Sequence, residues 1–209
     1  MTAPRRLALP TPRTCARRSI DAARNSGALR AVAKASAELG HYGPAVALEI
    51  LALEEAAKAQ ALGMRAIFAT MPGGEAAAKG LEDVLQREHT IRHRFAAWQM
   101  LQQEAVRISE QHIRQRLRDG PGAPRIDVFQ AATAAVLRKK QWLDRADGLK
   151  QRGLYVDAHG GSLPSKITRA DYDEALSIVE PYVTLTLQQA GLLPKPSRPR
   201  HTLFGYSND

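Results

Sequence analysis

Three charged side chains interrupt an otherwise apolar stretch of the sequence, AVALEILALEEAAKAQAL. They are Glu54, Glu55 and Lys58, and the apolar residues around them recur at helical spacing, which predicts a helix with a buried face. Carboxylates and ammonium groups are rarely buried without a partner, because leaving water costs them free energy. The three charges therefore need a structural or functional explanation, and the alternative is a solvated ion pair. Glu54 and Lys58 stand four residues apart with the acid first, the favourable order for such a pair.

Breaks in the chain divide it into about five predicted helices, which indicates an all-α bundle. The first is predicted from about Cys15 to Leu39, after an irregular arm of residues 1–12 that contains three prolines. The second runs from about Pro44 to Phe68 and ends at the sequence MPGG. A third helical region, Glu75 to Arg118, is long and is expected to contain a break.

The second half of the chain is predicted to hold two further helices with a loop between them. GPGAP precedes a fourth helix, from Asp127 to about Asp147. The stretch LKQRGLYVDAHGGSLPSKIT then predicts an ordered Gly-rich loop or a short extended piece. Thr168 is predicted to cap a last helix from Arg169 to about Ala190, which Pro181 bends or breaks. We therefore expect a helical domain over residues 13–191 and a Pro/Arg-rich tail over 192–209.

The balance of charge indicates a polyanionic partner. Lys and Arg number 30 against 21 Asp and Glu in 209 residues, which gives a formal net charge of +9. Arginine, the commoner of the two basic residues here, binds phosphate with two parallel hydrogen bonds. The alternative is that the charge only maintains solubility or gives weak nonspecific binding.

Cysteine usage and hydropathy indicate a cytoplasmic protein. Cys15 is the only cysteine, so neither an intramolecular disulfide nor a zinc site with paired cysteines can form within one chain. The basic N-terminal stretch lacks an apolar run of signal-peptide length, and no later segment reaches the length of a membrane span. We expect no membrane association.

Two stretches of the sequence together resemble the AbiV family of abortive-infection proteins, which belongs to the HEPN superfamily. The first stretch runs from ARNSGALRAV through GHYGPAVALEILALEEAAKAQAL, and Glu54, Glu55 and Lys58 fall on its Glu-Glu-x-x-Lys pattern. The second is KQRGLYVDAHGGSLP, whose Leu-Tyr-Val-Asp segment includes Tyr155 and Asp157. Between them, REHTIRHRF lies where the family has a histidine and a basic residue close together.

The resemblance implies a HEPN-like helical fold, a homodimer and a role in shutting down an infected cell. It also implies RNA as the partner, with a phage or host protein as a possible activator. HEPN nucleases carry Arg-x(4 to 6)-His, which Arg87 and His93 satisfy; an alternative His-x-x-basic pattern would instead select His89 and Arg92. Glu54, Glu55, Lys58, Tyr155 and Asp157 would then support or orient these four. Tyr155 could equally pack, and Asp157 could cap loop amides.

Histidine and arginine suit the cleavage of RNA by its own 2′-hydroxyl. Histidine can accept and donate protons near neutral pH, and arginine can neutralise the charge that develops on the phosphate oxygens. This route requires neither a metal nor a cofactor. The spacing alone does not select the site, because Arg107 with His112 and Arg152 with His159 also satisfy it.

The sequence thus supports three hypotheses of different classes. The first is an antiviral, metal-independent endoribonuclease. The second is a noncatalytic inhibitor that halts growth by binding RNA or the translation machinery, and the third is an antitoxin-like partner that pairs with another protein through an apolar helix face. No phosphate-cradling glycine loop and no nucleophile elbow supports nucleotide hydrolysis or serine hydrolase chemistry.

Overall fold

The computed structural model describes residues 11–81, 84–85, 89–119, 127–155 and 163–193. In these ranges the chain forms six α-helices, one 3₁₀ turn (Pro164–Lys166) and no strand. The α-helices are α1 (Pro12–Glu38), α2 (Tyr42–Phe68), α3 (Glu75–Gly80), α4 (His89–Asp119), α5 (Val128–Leu154) and α6 (Arg169–Gln189). The predicted all-α bundle is confirmed, and so is the predicted break in the third helical region.

Side-chain caps fix where three of these helices begin. The Thr11 hydroxyl accepts from the Thr14 N–H, and Asp127 accepts from the Gln130 N–H in the same way. Thr168 caps α6, as predicted, and forms a capping box with Asp171. The first helix begins at Pro12 and not near Cys15, because proline suits the first helical turn, where no N–H is needed.

The predicted end of the fourth helix is wrong. That helix, α5, continues past Asp147 to Leu154, and Tyr155 is its first extended residue. Gly153 does not break the helix but lets it approach α2: a β-carbon at Gly153 would lie 2.4 Å from the carbonyl oxygen of Gly43. Most of the predicted Gly-rich loop, residues 156–162, lies outside the described residues. So do the N-terminal residues 1–10 and the tail residues 194–209. Pro181 lies within α6 on its exposed side and does not end the helix.

Helix α2 is the centre of the bundle and packs against α1, α4, α5 and α6. It runs antiparallel to α1, since Ser19 Oγ donates to the Ala59 carbonyl and Arg30 Nε donates to Glu49. It carries many buried alanines, whose small side chains allow the neighbouring helices to approach closely. Within the described ranges, no helix has the length and hydropathy needed to cross a membrane.

Candidate active site

A buried carboxylate on α2 lies at the meeting point of three helices. Glu54 is only 2% exposed. Its Oε1 lies 2.8 Å from Lys150 Nζ on α5 and 3.2 Å from His93 Nε2 on α4, and its Oε2 lies 4.0 Å from Arg92 Nη1. One acid is therefore surrounded by three side chains that are basic or can become so. We call Glu54, Arg92, His93 and Lys150 the Glu54 cluster.

Helix directions explain why these side chains meet. Helix α4 runs parallel to α2, because His93 faces Glu54 and, one and a half turns later, Gln99 bonds to Gln60. Helix α5 runs antiparallel to α2, because Lys150 faces Glu54 and Gly153 lies against Gly43. The Glu54 cluster therefore depends on the packing of both helices against α2.

The lysine of the cluster is shared between two acids. Lys150 is 4% exposed, and its Nζ also lies 3.1 Å from Asp147 Oδ1, one turn earlier on α5. A buried ammonium group needs such partners, because the cost of desolvation is repaid only by close ion pairs and hydrogen bonds. Asp147 is partly exposed, so this side of the cluster extends towards solvent.

The histidine and arginine of the cluster differ in access to solvent. His93 is 4% exposed, and its Nε2 lies 3.2 Å from Glu54 Oε1 without the geometry of a hydrogen bond. Arg92 retains 19% of its side-chain exposure, and its Nε donates to the Val84 carbonyl at 3.4 Å. Arg92 therefore lies between the buried carboxylate and the surface, where it could also contact a phosphate.

The structure brings together some of the predicted site residues and leaves others apart. Glu54, Arg92 and His93 share one cluster. Glu55 and Lys58 form a separate, partly exposed ion pair of 3.4 Å, so Lys58 pairs with Glu55 and not with Glu54 as the spacing suggested. Tyr155 is exposed at the end of α5.

Three predicted residues lie at or beyond the limits of what is described. His89 is the first residue of α4, but its side chain is not among the described parts of the structure. Arg87 and Asp157 lie wholly outside the described residues. Their assignment stays a prediction.

Lys150 is the member of the cluster that the sequence prediction missed. It follows Leu143 and Ala146 at helical spacing, so it occupies a core position of α5. The signal was present, but it becomes visible only when the helix is extended past Asp147, into the stretch that was predicted to be a Gly-rich loop.

A second buried acid lies between α1 and α6. Glu49 is fully buried, and its Oε2 accepts from Arg30 Nε at 3.3 Å. Arg30 also reaches Glu180 on α6 at 3.1 Å. Burial raises the pKa of Glu49 to about 7, against the opposing effect of Arg30.

A chain of neutral polar groups joins α2, α4 and α6. The buried Tyr182 hydroxyl donates to the side-chain carbonyl of Gln99, whose amide donates to Gln60 Oε1 at 2.8 Å. Gln60 in turn donates to Thr186 Oγ1 at 2.9 Å. Burial raises the pKa of Tyr182 well above its ordinary value, so the phenol stays a hydrogen-bond donor. This chain fixes the position of α4 along α2 and thereby the position of His93.

No three His, Cys, Asp or Glu side chains within the described ranges come together in a way that could hold a metal ion. Residues 15–184 match the family model HEPN_AbiV, described as AbiV. No curated protein and no solved structure matches the chain significantly.

Proposed function

The chain belongs to the AbiV family of the HEPN superfamily, as its motifs predicted, and we propose that it is an abortive-infection effector that cleaves RNA. The proposed activity is that of a metal-independent endoribonuclease, formed by two copies of the chain. The observation that carries the proposal is the contact between Glu54 and His93 next to Arg92. It brings a proton-exchanging group, a carboxylate 3.2 Å from it and a cation together in one place.

In the proposed reaction the 2′-hydroxyl of a ribose attacks the adjacent phosphorus atom. The hydroxyl proton passes to a neutral imidazole, the bond from phosphorus to the 5′-oxygen breaks, and that oxygen takes a proton from an imidazolium. The products are a 2′,3′-cyclic phosphate and a 5′-hydroxyl. Two copies of His93 supply the acceptor and the donor, one from each chain.

The other charged side chains have positioning and electrostatic roles in this proposal. Glu54 attracts the imidazolium across the 3.2 Å between Oε1 and Nε2, which leaves Nδ1 for proton exchange with RNA. Arg92 and the predicted Arg87 neutralise the phosphate oxygens as charge develops on them. Lys150 fixes the Glu54 carboxylate by donating to the same oxygen that His93 approaches, Oε1, at 2.8 Å.

The burial of His93 favours a second candidate function, a noncatalytic RNA-binding inhibitor of growth. A side chain that is 4% exposed reaches a substrate only if the surrounding helices move or the RNA enters the cluster. In that case exposed arginines such as Arg13, Arg17 and Arg18 on α1 would bind the RNA, and the Glu54 cluster would only stabilise the fold.

Cleavage and binding measured on one purified preparation distinguish the two functions. End-labelled RNA is incubated with wild type, His93→Gln and His112→Gln in excess chelator, and affinity is measured separately by anisotropy. His112 is the matched control, because it belongs to an Arg-x(4)-His spacing far along α4. We expect His93→Gln to slow cleavage by about 100-fold or more with little change in affinity, and His112→Gln to behave as wild type.

The fold of each variant is checked by circular dichroism. Cyclic phosphate ends on the products identify the reaction. Cleavage by His93→Gln at the wild-type rate would overturn the assignment of the site. Binding without cleavage by any of the three proteins, lost at high salt, would favour the noncatalytic inhibitor.

A further inference from the structure

Helices α4 and α5 project beyond the bundle as a two-helix arm. Gln99 of α4 contacts Met64, and α4 runs parallel to α2, so the later part of α4 lies past Phe68, where α2 ends. Burial changes accordingly: five of the residues 91–100 are buried, but none of 101–119 is. We define the arm as residues 104–119 of α4 and 128–140 of α5; its base still touches the bundle, because Val136 packs in the core and Arg138 Nη2 lies 3.8 Å from Glu174 on α6. Its α4 part is about 24 Å long.

The arm exposes large apolar side chains that its two helices do not bury. On α4 these are Val106, Ile113 and Leu117, which lie on one face because they are seven and four residues apart. On α5 they are Phe129 and Leu137, two turns apart. All five side chains are more than half exposed. We call Val106, Ile113 and Leu117 the apolar row. Exposed apolar side chains grouped on a projecting element are typical of a protein interface.

Basic side chains border this apolar row in a regular way. Each of the three apolar residues on α4 is followed directly by an arginine, namely Arg107, Arg114 and Arg118. Arg107 pairs with Glu104 and Arg114 with Glu110, but these are exposed pairs within one helix, which contribute little and can be exchanged. Across the arm, seven Lys and Arg stand against three Asp and Glu.

We infer that the arm binds an amphipathic helix of another protein whose apolar face is bordered by acidic residues. The apolar row supplies the contact area, and the repeated arginines select the flanking charges, as flanking charges select partners in coiled coils. A second copy of the arm fits less well, because two arms would bring like charges together. The surface is separate from the Glu54 cluster, so this inference does not depend on RNA cleavage.

Two synthetic helical peptides of about three heptads test the inference. Both carry the same Leu/Ile stripe; one is flanked by Glu and the other by Lys. We expect the full-length chain to bind the Glu-flanked peptide at least about tenfold more tightly. Arg114→Glu with Arg118→Glu should reverse that preference, whereas Arg17→Glu with Arg18→Glu, the same charge change on exposed positions of α1, should leave it unchanged.

The apolar contribution is tested by Ile113→Ser with Leu117→Ser, which should weaken binding of the Glu-flanked peptide about tenfold. Failure of both peptides to bind wild type would overturn the inference. It would also be overturned if the variant Arg114→Glu with Arg118→Glu still preferred the Glu-flanked peptide. A fall in the molecular mass of the Ser variant in light scattering would instead assign the row to a second copy. If Arg114→Glu with Arg118→Glu lost RNA affinity but kept its peptide preference, the surface would be assigned to nucleic acid.

Discussion

Lys150 Nζ lies 2.8 Å from Glu54 Oε1, and the two residues are 96 positions apart in the chain. The contact joins the central helix α2 to the end of α5 in the interior of the bundle. Because His93 contacts the same carboxylate oxygen, Lys150 and His93 are coupled through Glu54. Stability and the proposed chemistry therefore depend on the same acid.

Removal of the lysine charge should destabilise the fold strongly. We expect Lys150→Met to lower the free energy of unfolding by about 3–5 kcal/mol, because it leaves Glu54 buried without its closest cation. Urea unfolding followed by circular dichroism measures the change. Adding Glu54→Gln to Lys150→Met should cost less than the sum of the two single changes. Strict additivity would show that the ion pair is not what Lys150 contributes.

Lys58, the lysine of the Glu-Glu-x-x-Lys motif, should behave differently from Lys150. Lys58 lies only 3.4 Å from Glu55, but this pair is partly exposed. We expect Lys58→Met to change the free energy of unfolding by less than about 0.5 kcal/mol in the same urea experiment. A loss as large as that of Lys150→Met would mean that Lys58 has an interior role.

Glu49 should make stability depend on pH near neutrality. Its pKa is raised to about 7 in the fold from an ordinary value of 4.5, so between these pH values the folded chain holds a proton that the unfolded chain releases. Stability from this group is thus complete below pH 4.5 and is lost as the pH rises towards 7, by about 3 kcal/mol. Glu49→Gln cannot titrate. As the pH rises from 4.5 to 7, we expect the unfolding free energy of wild type to fall relative to that of Glu49→Gln. A constant difference from pH 4.5 to 8 would contradict the raised pKa.

The polar chain between α2, α4 and α6 should be sensitive to loss of its buried phenol. Tyr182→Phe removes the donor to the Gln99 side-chain carbonyl and leaves that oxygen buried without it. We expect a loss of about 1–3 kcal/mol in thermal or urea unfolding. Combining Tyr182→Phe with Gln99→Met should cost less than the sum of the two single changes, because both remove the same hydrogen bond. Strict additivity would indicate that the hydrogen bond between Tyr182 and Gln99 is not what the phenol contributes.

Local signals explain how much of the fold could be predicted. The cap at Thr168 and the glycines after Phe68 lie next to the helix ends that they define, so those ends were found. The end of α5 could not be predicted, because Gly153 is needed for close contact with Gly43, a residue far away in the chain. A glycine that allows close packing and a glycine that ends a helix look the same in one sequence.

The same distinction applies to the candidate site. Charged residues in an apolar stretch identified Glu54 as a residue that needs a partner, but its partner Lys150 lies on a helix that was predicted to end before it. Spacing proposed Lys58 as the partner of Glu54, whereas packing places Lys58 beside Glu55. Spacing within a helix predicts only local pairs, and the Glu54 cluster is formed by contacts between helices.

The measurement that tests the proposed function most directly is total-RNA integrity and growth after controlled expression in cells. Wild type is compared with His89→Ala/His93→Ala and with the control pair Arg107→Ala/His112→Ala, which also satisfies Arg-x(4 to 6)-His but lies on the arm. Folded protein levels are equalised. We predict growth arrest with discrete RNA cleavage for wild type and the arm variant, and neither for His89→Ala/His93→Ala. Cleavage that persists undiminished in His89→Ala/His93→Ala would contradict the account.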